Sequence, residues 1–197
     1  ILSGFAISCR ESTEYHGHGW GIMMLTEGGW QTYKSINPIW KDDMKKIESF
    51  KLALVHARSA FRDEGIKIEN NMPFEKNDWI FIFNGELRNV RIREQGRIGA
   101  EKLFNFILKF NKYGIKRAIE TGNSIITKRS DSIRGMNYII HHKETNTSYV
   151  NSYYEKNEAE YFSLNRAETD GTLLVSSEQF GNHNWTVLQN HNLEVIL

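Results

Sequence analysis

Two apolar runs deliver polar groups at their ends: Leu52-Ala53-Leu54-Val55-His56-Ala57-Arg58 and, further along, Trp79-Ile80-Phe81-Ile82-Phe83-Asn84-Gly85-Glu86-Leu87. The first run closes on an imidazole and a guanidinium. The second closes on a side-chain amide beside a glycine, whose backbone N–H can come close to a ligand because no Cβ stands in the way. An Asn84 amide next to a Gly85 N–H at a strand end can donate to an oxyanion, while Arg58 can fork onto a carboxylate. Taken singly, each fragment has a plainer reading. Asn-Gly is a common hairpin turn, and an arginine after a strand is usually solvated.

The two fragments occur within a longer pattern. Gly17-His18-Gly19-Trp20-Gly21-Ile22, Val55-His56-Ala57-Arg58, Glu69-Asn70-Asn71-Met72-Pro73-Phe74, Phe83-Asn84-Gly85-Glu86-Leu87, Gly99-Ala100-Glu101-Lys102-Leu103-Phe104 and Leu174-Val175-Ser176-Ser177-Glu178 follow one another over nearly the whole chain. In this order they resemble the successive blocks of class II glutamine amidotransferases, which are N-terminal-nucleophile hydrolases. The likeness is to the stand-alone form, a glutaminase domain with no attached synthase.

The resemblance implies an α+β fold, a four-layer αββα sandwich of two antiparallel sheets flanked by helices, as a single domain over 1–197. It also implies a reaction. An N-terminal cysteine attacks the side-chain amide of glutamine or a γ-glutamyl compound, ammonia leaves, and water releases the acid from a thioester. The cysteine's own α-amine, with an ordinary pKa of about 7.7–8.0, serves as the base near neutrality. By position, Arg58 with His56 would hold the substrate, and Asn84 with the Gly85 N–H would form the oxyanion hole. The partner is a small-molecule amide. No cofactor or metal is called for, because protein groups supply all of this chemistry.

Several positions depart from the family pattern. The chain begins with Ile1, so the implied nucleophile precedes it, followed by a short run like Ile1-Leu2-Ser3-Gly4-Phe5. Cys9, placed at the far end of an apparent first strand, has no free α-amine and reads as an inert, partly buried thiol. Gly99 stands where the family places an aspartate that pairs with the glutamine ammonium. A buried ammonium without a partner is costly, so free glutamine should bind poorly unless Glu101 or another carboxylate substitutes. Phe61 replaces a common threonine, Phe83 a histidine before Asn84, and His18 an aspartate. Retained Arg58, Asn84 and Gly85 with a lost amine clamp leave two readings open. Either the substrate has a blocked amine, as in a γ-glutamyl peptide or amide, or the protein is a catalytically inactive carboxylate binder.

Composition narrows the classes. The chain has 197 residues, enough for one domain with a sizeable core. Lys and Arg number 25 against 24 Asp and Glu, which argues against a nucleic-acid or acidic-membrane partner. A single cysteine excludes an internal disulfide framework, and no apolar stretch suits a membrane span. The expected location is cytoplasmic. An oligomer is open.

Along the chain, Ile1 to Ser8 and Gly19 to Leu25 read as strands, and Glu27-Gly28-Gly29 turns the second back into Trp30-Gln31-Thr32-Tyr33. Asn37-Pro38 opens a helix with Ile39, Met44 and Ile47 on one face. Ser59 to Asp78 has no clear period and reads as a long loop carrying binding groups. Leu103, Phe106, Ile107 and Phe110 recur at helical spacing toward Gly114, and Ile115 to Lys128 suggests a second helix despite Gly122. Strands are expected at Met136 to His142, Thr147 to Tyr154, Ala159 to Leu164, Thr172 to Ser176, Trp185 to Leu188 and Leu193 to Ile196.

Other groups invite chemistry. His16 and His18 alternate as on a strand face, but no close third metal ligand is evident, and they are expected to frame the pocket from a loop. His141 and His142 would point to opposite faces, as solvated or edge positions. Arg88, Arg91, Arg93 and Arg97 form a basic stretch that reads as a solvated loop, with a phosphate- or nucleic-acid-binding module as the alternative. Ser176-Ser177-Glu178 lacks the glycines of a hydrolase serine elbow and reads as a strand end in the second sheet.

Overall fold

Leu2, Phe5, Ala6 and Cys9 recur at i, i+3, i+4 and i+7, and in the computed structural model they form one face of a helix, α1 (Leu2–Glu11). The strand expected over Ile1 to Ser8 is therefore a helix, because its apolar residues obey a period of 3.6 and not of two. The structure describes residues 1–60, 62 and 64–197. Strands β1 (Trp20–Thr26), β2 (Gly29–Ser35) and β3 (Leu52–Ala57) follow. Between β2 and β3 the expected helix is broken into 3-10 turns at Ile39–Lys41 and Met44–Lys46. Asp42 closes the first turn with its N–H on the Ile39 carbonyl, and Asp43 caps the second, its side chain accepting from the Lys45 N–H.

Beyond β3, the segment expected to be a loop contains a short strand, β4 (Phe74–Lys76), which forms a hairpin with β5 (Trp79–Arg88). Helices α2 (Gly99–Leu108) and α3 (Ile115–Arg129) come next, then β6 (Ser132–His142) and β7 (Thr147–Ser152). The strand expected at Ala159 to Leu164 is instead a single helical turn, α4 (Ala159–Phe162), closed by the Ser163 N–H and hydroxyl on the Ala159 carbonyl. Strands β8 (Asn165–Thr169), β9 (Thr172–Ser176), β10 (Thr186–Val187) and β11 (Asn192–Ile196) complete the chain. All the pairings described are antiparallel, so the class is α+β. Among the described residues, no helix is long and apolar enough to cross a membrane.

The chain divides into two compact units, Ile1–Ile82 with Leu164–Val187, and Phe83–Ser163 with Leu188–Leu197. In the first, β2-β1-β3 form one sheet and β10-β8-β9 another. Its core gathers Ala6 and Cys9 of α1 against Trp20, Ile22 and Met24 of β1, with Ile39 and Ala57, and all of them are buried. Removing such surface from water is what holds α1 on the sheet, at roughly 25 cal/mol per Å² of apolar area. Trp20, fully buried, keeps its indole N–H satisfied on Asp42, to which Tyr33 also donates.

In the second unit the strand order is β11-β7-β6 and then the later half of β5. Helices α2 and α3 pack together, and Gly122 makes this possible: a Cβ there would sit 3.0 Å from Ile107. The glycine that weakens the sequence signal for α3 is the one that lets α2 approach. A buried polar chain runs from the Tyr138 hydroxyl to Asn123, on to Asn151, and from its amide to the Met136 carbonyl. His141, expected near solvent, is fully buried on an interior strand, where β7 supplies Ser148 Oγ at 2.9 Å from its Nδ1.

Burial lowers the His141 pKa to about 4, helped by the charge of His142. The unfolded chain binds a proton near pH 6.5 that the folded chain refuses, so the His141 contribution is intact above that pH and is lost as pH falls toward 4. Urea midpoints should drop across this window, and His141→Gln should flatten the drop; an unchanged slope would show that the ring is not kept neutral by the fold. Gly135 of β6 offers a second check, since a Cβ there would lie 2.5 Å from the Phe162 ring. Gly135→Ala should cost about 1–3 kcal/mol in equilibrium unfolding, the usual penalty for overpacking.

Candidate functional site

Arg58 emerges from β3 under the control of β1. The two strands pair with Trp20 opposite Ala57 and Gly21 opposite His56, and the ladder continues past them: the Arg58 N–H donates to Gly19 O at 2.9 Å, and Arg58 O accepts from the His18 N–H at 3.1 Å. This fixes the residue inward, and Arg58 is only 7% exposed. Its Nη1 donates to Gly65 O at 2.8 Å and its Nη2 more weakly to Glu64 O at 3.4 Å. Both acceptors are neutral carbonyls, and among the described residues no carboxylate pairs with it. Burial pushes its pKa below the ordinary guanidinium range. A guanidinium taken out of water without an anion is an arrangement suited to receiving one.

The surroundings of Arg58 are polar. Gly65 O also accepts from Asn70 Nδ2 at 2.9 Å, and Asn71 Nδ2 donates to Ser35 O at 2.8 Å. The side-chain oxygens of both asparagines are buried and accept no hydrogen bond among the described residues. Such orphans are uncommon, and Asn70, which shares the Gly65 oxygen with Arg58, is a candidate that residue-type reasoning did not single out. Their signal was a pair of amides in the Glu69 to Phe74 block, between the loop and β4. His56, half-buried, is on the same face of the extended chain as Arg58. His18 is a positioning group, with Nδ1 accepting from the Ala60 N–H at 2.9 Å. The expectation about Phe61 lies outside the described residues.

Asn84 and Gly85 lie within β5, in the part that belongs to the second unit. They occupy neither a hairpin turn nor the strand end expected for them, because β5 runs on to Arg88. Asn84 is half-buried, and its amide makes no hydrogen bond among the described residues. A Cβ on Gly85 would collide with the carbonyl of Gly135 in β6, so glycine is required there by the close approach of a neighbouring backbone.

Gly99 is the first residue of α2, with no atom within 4 Å of where a Cβ would be. Glu101, the acid in the first turn of α2, is engaged locally. Its carboxylate holds Arg97 through Nε at 2.9 Å and Nη2 at 2.6 Å, and also accepts from the Arg97 N–H. The α2 start thus spends its acid on a local arginine.

The thiol of Cys9 is on the buried face of α1 and its pKa is pushed up to about 12, first by burial and then by the charge of Glu178. It is not a nucleophile at neutral pH. Glu178, just beyond β9, accepts from Ser8 at 3.0 Å and from Ser12 at 2.7 Å, with His16 Nε2 at 3.7 Å. His16 first, then the serine hydroxyls, hold its pKa below the carboxylate range despite burial. Ser176-Ser177-Glu178 is therefore a strand end with an acid that fastens α1. Arg88 and Arg91 are paired with Glu86 and Asp131. No cluster of metal-ligating side chains occurs among the described residues.

No protein-family model and no curated protein matches the chain. Solved structures do. A glutamine aminotransferase class-II domain protein from Silicibacter pomeroyi is similar at 18% identity and a TM-score of 0.63, over 90% of this chain and 86% of that one. The glutamine phosphoribosylpyrophosphate amidotransferase of B. subtilis, solved with ADP and GMP, is similar at 15% identity and a TM-score of 0.63, over 99% of this chain. This chain spans 46% of that enzyme's length. At such identities the likeness is one of fold alone, an α+β arrangement that this chain shares with both of these proteins.

Proposed function

We propose that the chain is the amide-hydrolysing domain of a class II glutamine amidotransferase, acting on the side-chain amide of glutamine or a γ-glutamyl compound. The observation that carries this reading is the buried Arg58 guanidinium, which has carbonyl partners and no carboxylate among the described residues. In this reading the substrate carboxylate forks onto Arg58, beside His56. The nucleophile is a cysteine preceding Ile1, whose α-amine takes the thiol proton and passes it to the departing ammonia. The thioester then takes up water and releases the acid.

The roles of Asn84 and Gly85 as oxyanion donors rest on the sequence pattern and on an amide without a partner among the described residues. Small-molecule amide substrates and a cytoplasmic setting belong to the same proposal. A second reading, an inactive carboxylate-binding descendant, draws on Gly99 and on the commitment of Glu101 to Arg97, which leave the family's ammonium clamp unfilled at that place.

The deciding experiment uses protein expressed from the complete reading frame, with intact-mass and N-terminal analysis and an ammonia-release assay. The amidotransferase reading expects a terminal cysteine, and ammonia from glutamine or a γ-glutamyl amide that is abolished by Cys→Ala. Ligand binding without ammonia would establish the inactive reading. Arg58→Ala should raise KM by about tenfold or more, from loss of a charge-assisted pair worth roughly 1.5–3 kcal/mol, and unchanged kinetics would remove Arg58 from the site. Asn84→Ala should lower kcat by about a hundredfold with little change in KM, and an unaffected rate would mean the amide does not serve the oxyanion.

A further inference from the structure

The basic stretch beginning at Arg88 leads, within the second unit, into a groove of about 610 Å³ beside α2 and α3. Its floor is apolar: Phe106 and Phe110 of the α2 side, Ile125 of α3 and Ile92. Phe106 is buried while Phe110, edge-on to it with ring centroids 5.3 Å apart, is only half-buried. The volume lies in the range of small-molecule sites, roughly 300–1,000 Å³. Four cations line the same groove, Arg91, Arg93, Lys109 and Arg129.

These cations are not equivalent. Arg91 is spent on Asp131, which Asn89 also contacts, and Lys109 has Glu94 at 3.4 Å. Arg93 and Arg129 are exposed and have no carboxylate partner among the described residues. Arg129 ends α3, where helix carbonyls would repel an anion, but two of them already accept hydrogen bonds: Ile126 O from the Ser130 hydroxyl, and Arg129 O from the Arg91 N–H. The groove therefore keeps two uncompensated guanidinium groups over an apolar floor.

A phosphate monoester carries a charge of about −1.5 to −2 at neutral pH and offers three acceptor oxygens, which matches two guanidinium forks. A carboxylate would satisfy only one. A nucleic-acid strand calls for a longer basic track than two free cations on a chain of net charge +1. We propose that this groove binds a small amphipathic organic phosphate, its phosphate between Arg93 and Arg129 and its aromatic or aliphatic body on Phe110 and Ile125. The site is independent of the Arg58 reading, since every residue it uses is in the second unit.

Calorimetric titration with phenyl phosphate, hexyl phosphate, inorganic phosphate and phenol tests it. At least one ester should bind about tenfold or more tightly than inorganic phosphate, because only an ester covers the floor, and phenol should show no saturable binding. Preference between the phenyl and hexyl esters identifies the body as aromatic or aliphatic. Arg93→Ala and Arg129→Ala should each weaken the ester by about tenfold, with melting temperatures held, and Arg93→Gln with Arg129→Gln repeats the test with longer side chains. Equal affinity for ester and inorganic phosphate, full affinity in the double glutamine variant, or tight oligonucleotide binding that phenyl phosphate cannot displace would each overturn the proposal.

Discussion

A guanidinium held out of water is the constraint on which the rest of the first unit turns. Arg58 is placed by backbone pairing, not by its own side chain: Gly19 and His18 extend the β1–β3 ladder by one residue and carry the arginine inward. Once there, it must be hydrogen-bonded, and the loop after it supplies carbonyls from Glu64 and Gly65. Asn70 then locks that loop by donating to the same Gly65 oxygen. Carbonyls solvate the donors, and among the described residues no carboxylate matches the charge. Of the five N–H groups a guanidinium carries, two kinds of contact, from Nη1 and Nη2, are made to the described residues.

What the sequence made legible follows from periodicity. The β1–β2 hairpin and the β6–β7 pair had clear alternation and appear close to the expected bounds, and α3 does so despite Gly122, whereas α2 ends at Leu108 and a separate 3-10 turn covers Asn111–Tyr113, short of the end expected near Gly114. Errors arose in short apolar runs, where few residues define the period. Ile1 to Ser8 is apolar enough to pass for a strand, yet only the spacing of Leu2, Phe5, Ala6 and Cys9 agrees with what is buried. At Ala159 to Leu164, burial of Phe162 against Gly135 and the Ser163 bonds to the Ala159 carbonyl decide for a helical turn. Neither is visible without tertiary contacts. The same holds for His141, whose burial is set by the strands beside β6.

The site was legible in part and for different reasons. His56 and Arg58 could be placed because a strand end is easy to see. Asn70 and Asn71 were not singled out, because an asparagine in a loop is ordinary until its oxygen is found buried and unpartnered. The pairing of Glu101 with Arg97 is likewise a contact that spacing alone did not single out. Residue type sets what a side chain can do, and the partners it already has set what it is free to do.

Gly85 shows how a residue that fits a chemical pattern can be fixed by packing. The backbone of Gly135 would collide with any Cβ there, so packing alone explains the glycine, and its presence is no sign of an oxyanion hole. Asn84 is different. At a half-buried strand position an apolar β-former would suit the pleated surface better than an amide whose donors have no partner among the described residues. In the proposed reaction it is therefore the asparagine side chain that distinguishes this pair. The glycine contributes by letting the β5 and β6 backbones lie close together beside it.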